Sequence, residues 1–179
     1  PLDGLRRLLW PRPGGRVLPP TAFQLLDAAR DEAIYPALYE NQQALPLRCL
    51  YQGTLADELA DVAPYLVELE PGARFADWLL TRSWGRAWGA FALSRMPFDG
   101  LRRHFRGLTI VRDPDDRPLL FRFYDPRVLR DFLPTCDGEQ LERFFGPVEA
   151  LITEDEGGEA ALVHRHQGGR LVTETVKLS

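Results

Sequence analysis

Proline and glycine interrupt this chain so often that none of its secondary-structure elements can be long. The 179 residues include 15 prolines and 15 glycines, residue types that favour turns and end helices and strands. Hydrophobic residues nevertheless make up 45% of the chain and charged residues 27%, proportions typical of soluble globular proteins. We therefore expect one domain that builds a buried core from many short elements.

The composition argues against several classes of protein. The longest apolar runs are only a few residues, far below the roughly 20 that cross a bilayer, and no secretory signal pattern is visible at the N-terminus. Two cysteines, Cys49 and Cys136, fit a reducing compartment better than a disulfide scaffold. The net charge of −4 is opposite to that of a general nucleic-acid binder. We expect a cytoplasmic protein with neither a membrane nor a nucleic acid as its partner.

The arrangement of the patterns indicates the fold class. Residues 1–20 are rich in proline and glycine and are interpreted as a lead-in to a single domain over 21–179. Strand and short-helix patterns alternate through most of that domain, and 148–178 indicates three strands joined at Gly157-Gly158 and Gly168-Gly169. Because the helices are shorter than a usual crossover helix, we predict an α+β fold with a mixed sheet, short helices and a C-terminal β-meander.

Three local patterns predict particular elements. Residues 108–111 and 119–124 are apolar runs around a short polar segment bracketed by prolines, which predicts a hairpin. Asp125 followed by Pro126 predicts the N-cap and first residue of a helix. The aromatic and small residues of 84–93 predict a strand.

Neither a metal site nor a catalytic site is indicated by any motif. His164 and His166 have the spacing of a ligand pair on a strand, but no third ligand is near them in the sequence, so we interpret them as exposed histidines. Ser83 and Ser94 lack the Gly-x-Ser-x-Gly pattern of a nucleophile. We expect no cofactor, no metal and no catalytic residue. The sequence does not show which carboxylates meet in the folded chain. A small-molecule enzyme with a carboxylate-containing cleft is therefore the alternative.

Charge and aromatic residues are unevenly distributed. Residues 31–70 and 137–159 each hold eight acids against one arginine, whereas 95–135 holds nine arginines against six aspartates. Aromatic residues are dense over 75–145, and aromatic residues with arginine are typical of protein interfaces. The arginine-rich stretch 101–106 leaves a nucleic-acid-binding domain as a third hypothesis, which the acidic flanking regions oppose.

Several segments resemble one known family. They are 59–69, Trp84-Gly-Arg-Ala-Trp-Gly89, Leu119-Leu-Phe-Arg-Phe-Tyr-Asp-Pro-Arg-Val-Leu129 and Phe144-Phe-Gly-Pro147. Together they resemble a bacterial family first catalogued as domain-of-unknown-function family 4123 and now associated with type VI secretion. The resemblance covers roughly residues 21–155, and its most specific part is the Phe-Arg-Phe-Tyr-Asp-Pro-Arg run.

The resemblance implies a role in binding rather than catalysis. Proteins of this family act as adaptor chaperones that bind a toxic effector in the cytoplasm and help load it onto the spike-tip valine-glycine-repeat protein. It therefore implies two partners, a secreted effector and that spike-tip protein, and no enzymatic activity. The residues that we expect to bind a partner are Trp84, Trp88, Arg122, Tyr124, Asp125 and Arg127.

Overall fold

A seven-stranded sheet forms the centre of the computed structural model, which describes residues 1–11 and 18–178. In chain order its strands are β1 (Thr21–Asp27), β2 (Leu47–Cys49), β3 (Pro64–Leu69), β4 (Gly89–Ser94), β7 (Val148–Glu154), β8 (Ala160–Gln167) and β9 (Arg170–Lys177). A separate hairpin consists of β5 (Ile110–Arg112) and β6 (Pro118–Leu120). The α-helices of the described residues are α1 (Leu2–Leu9), α2 (Ile34–Asn41), α3 (Gly53–Glu58), α4 (Arg74–Ser83), α5 (Phe98–Leu108), α6 (Pro126–Phe132) and α7 (Gly138–Phe145).

The predicted α+β class and C-terminal meander are confirmed, but the sheet is antiparallel rather than mixed. Its strand order is β2-β3-β1-β4-β7-β8-β9, and every pair of neighbours among the described strands is antiparallel. Strands β3 and β4, which α4 connects, do run in the same direction. They never pair because β1 lies between them and is antiparallel to both. Alternating strand and helix patterns predict the direction of such strands but not which strand separates them.

The sheet is covered by helices on both faces. One core cluster joins α1, α2 and α4 to the sheet, and a second joins α5, α6 and α7 to the opposite face. In β1, Ala22 and Leu26 belong to the first cluster and Phe23 and Leu25 to the second, as the alternation of side chains along a strand requires. The central strands are therefore apolar at nearly every position, like strands that are buried on both faces.

Part of the predicted lead-in is integral to the fold. Helix α1 occupies residues that lie in the proline- and glycine-rich lead-in predicted over 1–20. Leu5 and Leu9, four positions apart on one face of that helix, are completely buried. The remainder of that segment includes 12–17, which lies outside the described residues, as does Ser179.

The strand predicted over 84–93 begins only at Gly89. The preceding residues form a tight turn in which Gly85 and Ala87 have positive φ angles of 78° and 52°, a conformation that no strand contains. At Gly89 a Cβ atom would lie 1.8 Å from the carbonyl oxygen of Leu25. Only glycine allows β4 to approach β1 this closely.

The helix start predicted at Asp125 and Pro126 and the turn predicted at Gly168-Gly169 are confirmed. The carboxylate of Asp125 accepts a hydrogen bond from the backbone of Arg127, and Pro126 occupies the first position of α6. Gly168 and Gly169 have φ angles of 57° and 75° and join β8 to β9, as a two-residue hairpin turn requires. His164 on β8 is buried, contrary to the prediction of an exposed histidine, because it lies between Thr153 and Thr173 of the adjacent strands.

Candidate functional site

One candidate site is an open cleft of about 550 Å³ at the end of the sheet. We call it the arginine cleft. Its lining residues come from the turn after β1, the turn before β4, helix α6 and the end of β7. They are Arg30, Gly85, Arg86, Ala87, Arg127, Arg130, Asp131, Glu154, Asp155 and Glu156. The cleft thus brings together residues of two motifs that carried the family resemblance.

The buried carboxylate of Glu154 is one of the groups that line the arginine cleft. Glu154 accepts hydrogen bonds from the backbone N–H of Gly85 at 2.5 Å and of Ala87 at 2.7 Å. Its own carbonyl oxygen accepts a bond from the guanidinium of Arg130. Burial raises the pKa of Glu154, and the two backbone hydrogen bonds and the charge of Arg130 offset part of that rise. Glu154 therefore fixes the strained turn before β4, in which Ala87 has a positive φ.

One ion pair attaches the segment after β6 to the same end of the sheet, and a second lies within that segment. Arg122 donates to the buried carboxylate of Asp27 at the end of β1. Arg127 donates to both oxygens of Asp125, at 3.0 and 2.6 Å. Burial alone would raise the pKa of Asp125, but hydrogen bonds from the side chain and backbone of Arg127 outweigh it and lower that pKa. We call residues 122–127, the Arg-Phe-Tyr-Asp-Pro-Arg run, the bracket, because their ion pairs position the start of α6.

The second candidate site is an exposed apolar surface on the β5–β6 hairpin. Ile110 and Leu119 are each 50% exposed, Leu120 is 49% exposed and Val111 is 40% exposed. We call these four residues the apolar hairpin. Ile110 pairs with Leu120 and Val111 with Leu119, so each face of this two-stranded ribbon carries two large apolar side chains. Four adjacent apolar side chains in solvent are unlike the isolated exposed residues that are normal on a protein surface.

A groove of about 380 Å³ continues the apolar hairpin towards α7. It is lined on the hairpin side by Ile110 and Val111 and on the other side by Phe121, Phe132 and Phe144. Its charged lining residues are Arg112 and Arg143, and no carboxylate lines it among the described residues. This hairpin groove can accept an apolar segment of another polypeptide with acidic groups at its edge.

Three of the six predicted partner-binding residues lie inside the protein. Trp88 is 2% exposed and packs against Trp78, because it precedes the central strand β4. Tyr124 is 2% exposed and its hydroxyl lies 3.4 Å from that of Tyr51. Asp125 is 3% exposed because it caps α6. None of the three presents a surface to a partner, and each instead positions the residues around it.

The other three predicted residues reach the surface. Trp84 is half-buried, and its indole N–H donates to the carbonyl oxygen of Gly158 at 2.8 Å. The side chains of Arg122 and Arg127 are 49% and 53% exposed, with their guanidinium groups in the ion pairs to Asp27 and Asp125. Only Arg127 among these three lines the arginine cleft.

The sequence did not reveal the residues that complete the two sites. Arg30, Arg86, Arg130 and Glu154 are far apart in the chain and meet only because four elements end at the same edge of the sheet. A signal was available for the hairpin, since both of its short strands are apolar at consecutive positions. A hairpin packed on one face would alternate apolar and polar residues, so consecutive apolar residues indicate a surface that needs a partner or a core.

The comparisons with known proteins identify the family. The family model described as "Domain of unknown function (DUF4123)" matches residues 22–143. The chain belongs to the DUF4123 family. No curated protein and no solved structure gives a match.

The DUF4123 match extends from the start of β1 nearly to the end of α7. It therefore includes the apolar hairpin, the bracket around Asp125 and all four arginines of the arginine cleft, while Glu154 and the strands β7 to β9 follow it. Among the described residues of this DUF4123 protein, no three His, Cys, Asp or Glu side chains are grouped as a metal site would require. Within the same residues, every helix is too short or too polar to cross a bilayer.

Proposed function

We propose that this DUF4123 protein is a cytoplasmic adaptor chaperone that binds a type VI secretion effector and promotes its loading onto the spike-tip valine-glycine-repeat protein. The observation that carries the proposal is the apolar hairpin. The protein belongs to a family associated with such adaptors. An adaptor must keep a polypeptide-binding surface exposed until its partner binds.

The apolar hairpin is suited to bind polypeptide rather than a small molecule. Its four side chains project from a two-stranded ribbon beside an open groove, whereas small-molecule sites are concave and enclose most of the ligand. Burying apolar surface contributes about 25 cal/mol per Å², before the costs of association. Arg112 and Arg143 at the groove already pair with Asp116 and Glu139 at exposed positions, and their remaining N–H groups can donate to a partner's carboxylates.

The alternative of an enzyme with a carboxylate in a cleft has one feature to support it. Glu154 lines the arginine cleft and its pKa is raised by burial, which is typical of general acids. Both oxygens of that carboxylate accept hydrogen bonds from Gly85 and Ala87, however. A carboxylate held in this way supports a backbone turn, and this favours the binding role.

Deletion of the gene in the bacterium that encodes it tests the proposal. Proteins of the culture medium and of the cells are compared by quantitative mass spectrometry with and without the gene. We expect one effector to disappear from the medium while remaining in the cells, and the spike-tip protein to be secreted still. Complementation with the wild-type gene should restore that effector. An unchanged set of secreted proteins in the deletion strain would contradict the adaptor function.

A further inference from the structure

We infer that strand β9 pairs with β9 of a second copy of this chain, so that two sheets join into one across a two-fold axis at Val172. The inference concerns self-association, and it does not rest on the adaptor function. Its basis is an edge strand whose backbone groups, charges and apolar side chain are complementary to those of an identical strand in antiparallel orientation.

The two edges of the seven-stranded sheet differ in length. Strand β2 at one edge has three residues, whereas β9 at the other edge has eight, six of them exposed. Proteins protect long edge strands with proline, bulges or a covering segment, because a free edge is a template for another strand. No proline interrupts β9, and its register with β8 runs from Arg170 to Lys177 without a bulge. The edge therefore retains the regular geometry that pairing requires.

Every second residue of β9 directs its backbone N–H and C=O groups away from β8. The backbone N–H of Leu178 donates to the carbonyl oxygen of Glu159, which continues the β8–β9 ladder by one pair. Hydrogen-bonded and non-hydrogen-bonded pairs alternate along antiparallel strands, so the backbone groups of Leu171 and Thr173 face the free edge. Within the part of the chain that the structure describes, no strand pairs with that edge.

One two-fold register brings opposite charges together. With Val172 opposite its own copy, Arg170 of each strand lies opposite Glu174 of the other strand. Leu171 then lies opposite Thr173, and the backbone groups that face the edge exchange hydrogen bonds. The pairs formed by Arg170, Val172 and Glu174 are the closely spaced ones, in which side chains of the two strands interact. The two strands thus share two ion pairs around one apolar contact.

Neighbouring registers are less favourable. Centring the pair on Thr173 places Val172 opposite Glu174, and centring it on Glu174 places two carboxylates opposite each other. Like charges directly opposite each other destabilise a pair of strands, whereas opposite charges stabilise it. The sequence of β9 is therefore self-complementary around Val172 and not around the two residues that follow it.

The side chains that meet across the axis are accessible. Val172 is 42% exposed, and Arg170 and Glu174 are also exposed. Arg170 makes no ion pair with any of the described residues, and Glu174 has a long contact of 3.5 Å with Arg165. On the opposite face of β9, Leu171 packs against the second core cluster. Pairing at the edge therefore leaves the core intact.

Sedimentation velocity of the full chain, from micromolar to millimolar concentrations, measures the association. We expect a reversible monomer–dimer equilibrium, because a paired segment of about five residues buries less surface than a standard stable interface. Arg170→Glu places a carboxylate opposite Glu174, and Glu174→Arg places a second guanidinium opposite Arg170. Each variant alone should weaken dimerisation by roughly tenfold, since two attractive pairs become repulsive.

An equimolar mixture of Arg170→Glu and Glu174→Arg tests the register itself. In a mixed dimer each new charge lies opposite a charge of the other sign, so association should return to about the wild-type level. Asp115→Arg is the matched control, because it makes the same change of charge at an exposed position on the β5–β6 turn. It should leave dimerisation unchanged. Circular dichroism of each variant confirms that it is folded.

Cross-linking gives a second measurement of the register. Val172→Cys places two thiols at the axis in a closely spaced pair, whose Cα atoms lie about 4.5 Å apart, within the range of a disulfide. Thr175→Cys is exposed on the same strand, but its two copies lie roughly 20 Å apart in this register. Oxidised glutathione should cross-link the first variant and not the second on a non-reducing gel. Cys49 and Cys136 are present in both variants and cannot produce this difference.

Three results would overturn the inference: a monomer at every concentration, a dimer that both charge variants leave unchanged, or a mixture that fails to restore association. A dimer that is weakened instead by Ile110→Thr with Leu120→Thr would assign self-association to the apolar hairpin. Strand β9 shares no residue with the apolar hairpin. A monomeric protein would therefore leave the adaptor function standing, and the gene-deletion experiment tests that function separately.

Discussion

The carboxylate of Asp27 accepts a hydrogen bond at 2.5 Å from Arg122, which lies 95 positions later in the chain. The side chain of Asp27 is 1% exposed, whereas that of Arg122 is 49% exposed. Asp27 ends the central strand β1, and Arg122 lies between β6 and α6. This pair therefore fastens the apolar hairpin and the helix after it to the middle of the sheet.

Replacing Arg122 should leave a buried charge without its partner. We expect Arg122→Met to lower the free energy of unfolding by about 2–3 kcal/mol, since the buried carboxylate of Asp27 loses its charged partner. Urea denaturation monitored by fluorescence measures this change. Arg117→Met is the matched control, because Arg117 pairs with Asp113 and Asp115 on the exposed hairpin turn and should cost less than 1 kcal/mol. Equal effects of the two variants would show that the pair with Asp27 is not a structural anchor.

His164 should make the fold sensitive to acid. Burial, with a smaller contribution from the charge of Arg130, lowers the pKa of this histidine to about 4, and its two ring nitrogens face the hydroxyls of Thr153 and Thr173. The unfolded chain, in which the pKa is about 6.5, takes up the proton first as the pH falls. Stability that is present above pH 6.5 is therefore lost between pH 6.5 and pH 4.

The expected loss from His164 alone is about 3 kcal/mol, from the difference between the two pKa values. It is measured as the difference in pH dependence between the wild type and His164→Gln, which keeps hydrogen-bonding groups but does not titrate. We expect the variant to lose less stability than the wild type over this range, whatever its stability at neutral pH. Parallel curves for the two proteins would refute the role of His164.

Two glycines should respond to the same substitution in opposite ways. Gly89→Ala places a methyl group 1.8 Å from the carbonyl oxygen of Leu25 and should destabilise the protein by about 3 kcal/mol, since the sheet must open to admit it. Gly107→Ala, on the exposed face of α5 with no atom within 4 Å of the new methyl group, should stabilise it by about 0.5–1 kcal/mol. Thermal unfolding of both variants gives the comparison, and a stable Gly89→Ala protein would contradict the close approach of β1 and β4.

Sequence patterns predicted the parts of the fold that depend on local chemistry. The cap formed by Asp125 with Pro126, the turn at Gly168 and Gly169 and the terminal meander all follow from preferences of neighbouring residues. The antiparallel arrangement of the sheet could not be predicted in this way. The position of β1 between β3 and β4 is decided by contacts between residues that are distant in the sequence. The turn before β4 was taken for a strand, since the contact that stabilises it comes from Glu154 about 70 residues away.

The same distinction between local and long-range contacts applies to the candidate sites. The motif around Tyr124 and Asp125 was recognised as important, but aromatic and acidic residues in a motif can be buried as readily as exposed, and these two are buried. The arginine cleft could not be predicted, because Arg30 and Arg86 become neighbours only in the folded protein. Trp88 likewise belongs to the core, where the motif alone suggested a contact surface.

The apolar hairpin should be required for partner binding but not for folding. Ile110 and Leu120 are paired across the hairpin and are each about half exposed, so Ile110→Thr with Leu120→Thr removes apolar surface while keeping residues that favour strands. We expect the unfolding free energy to change by less than about 1 kcal/mol. Val172→Thr is the control, since Val172 is 42% exposed on β9, away from the hairpin.

Affinity purification of the tagged protein from its native bacterium, with quantitative mass spectrometry of what it retains, tests the central claim most directly. The wild type and Val172→Thr should each retain the effector identified by gene deletion and the spike-tip protein. The Ile110→Thr, Leu120→Thr variant should retain about tenfold less of at least one of them, as expected for loss of central apolar contacts. Equal recovery of both partners by all three proteins would contradict the account of the hairpin as the docking surface.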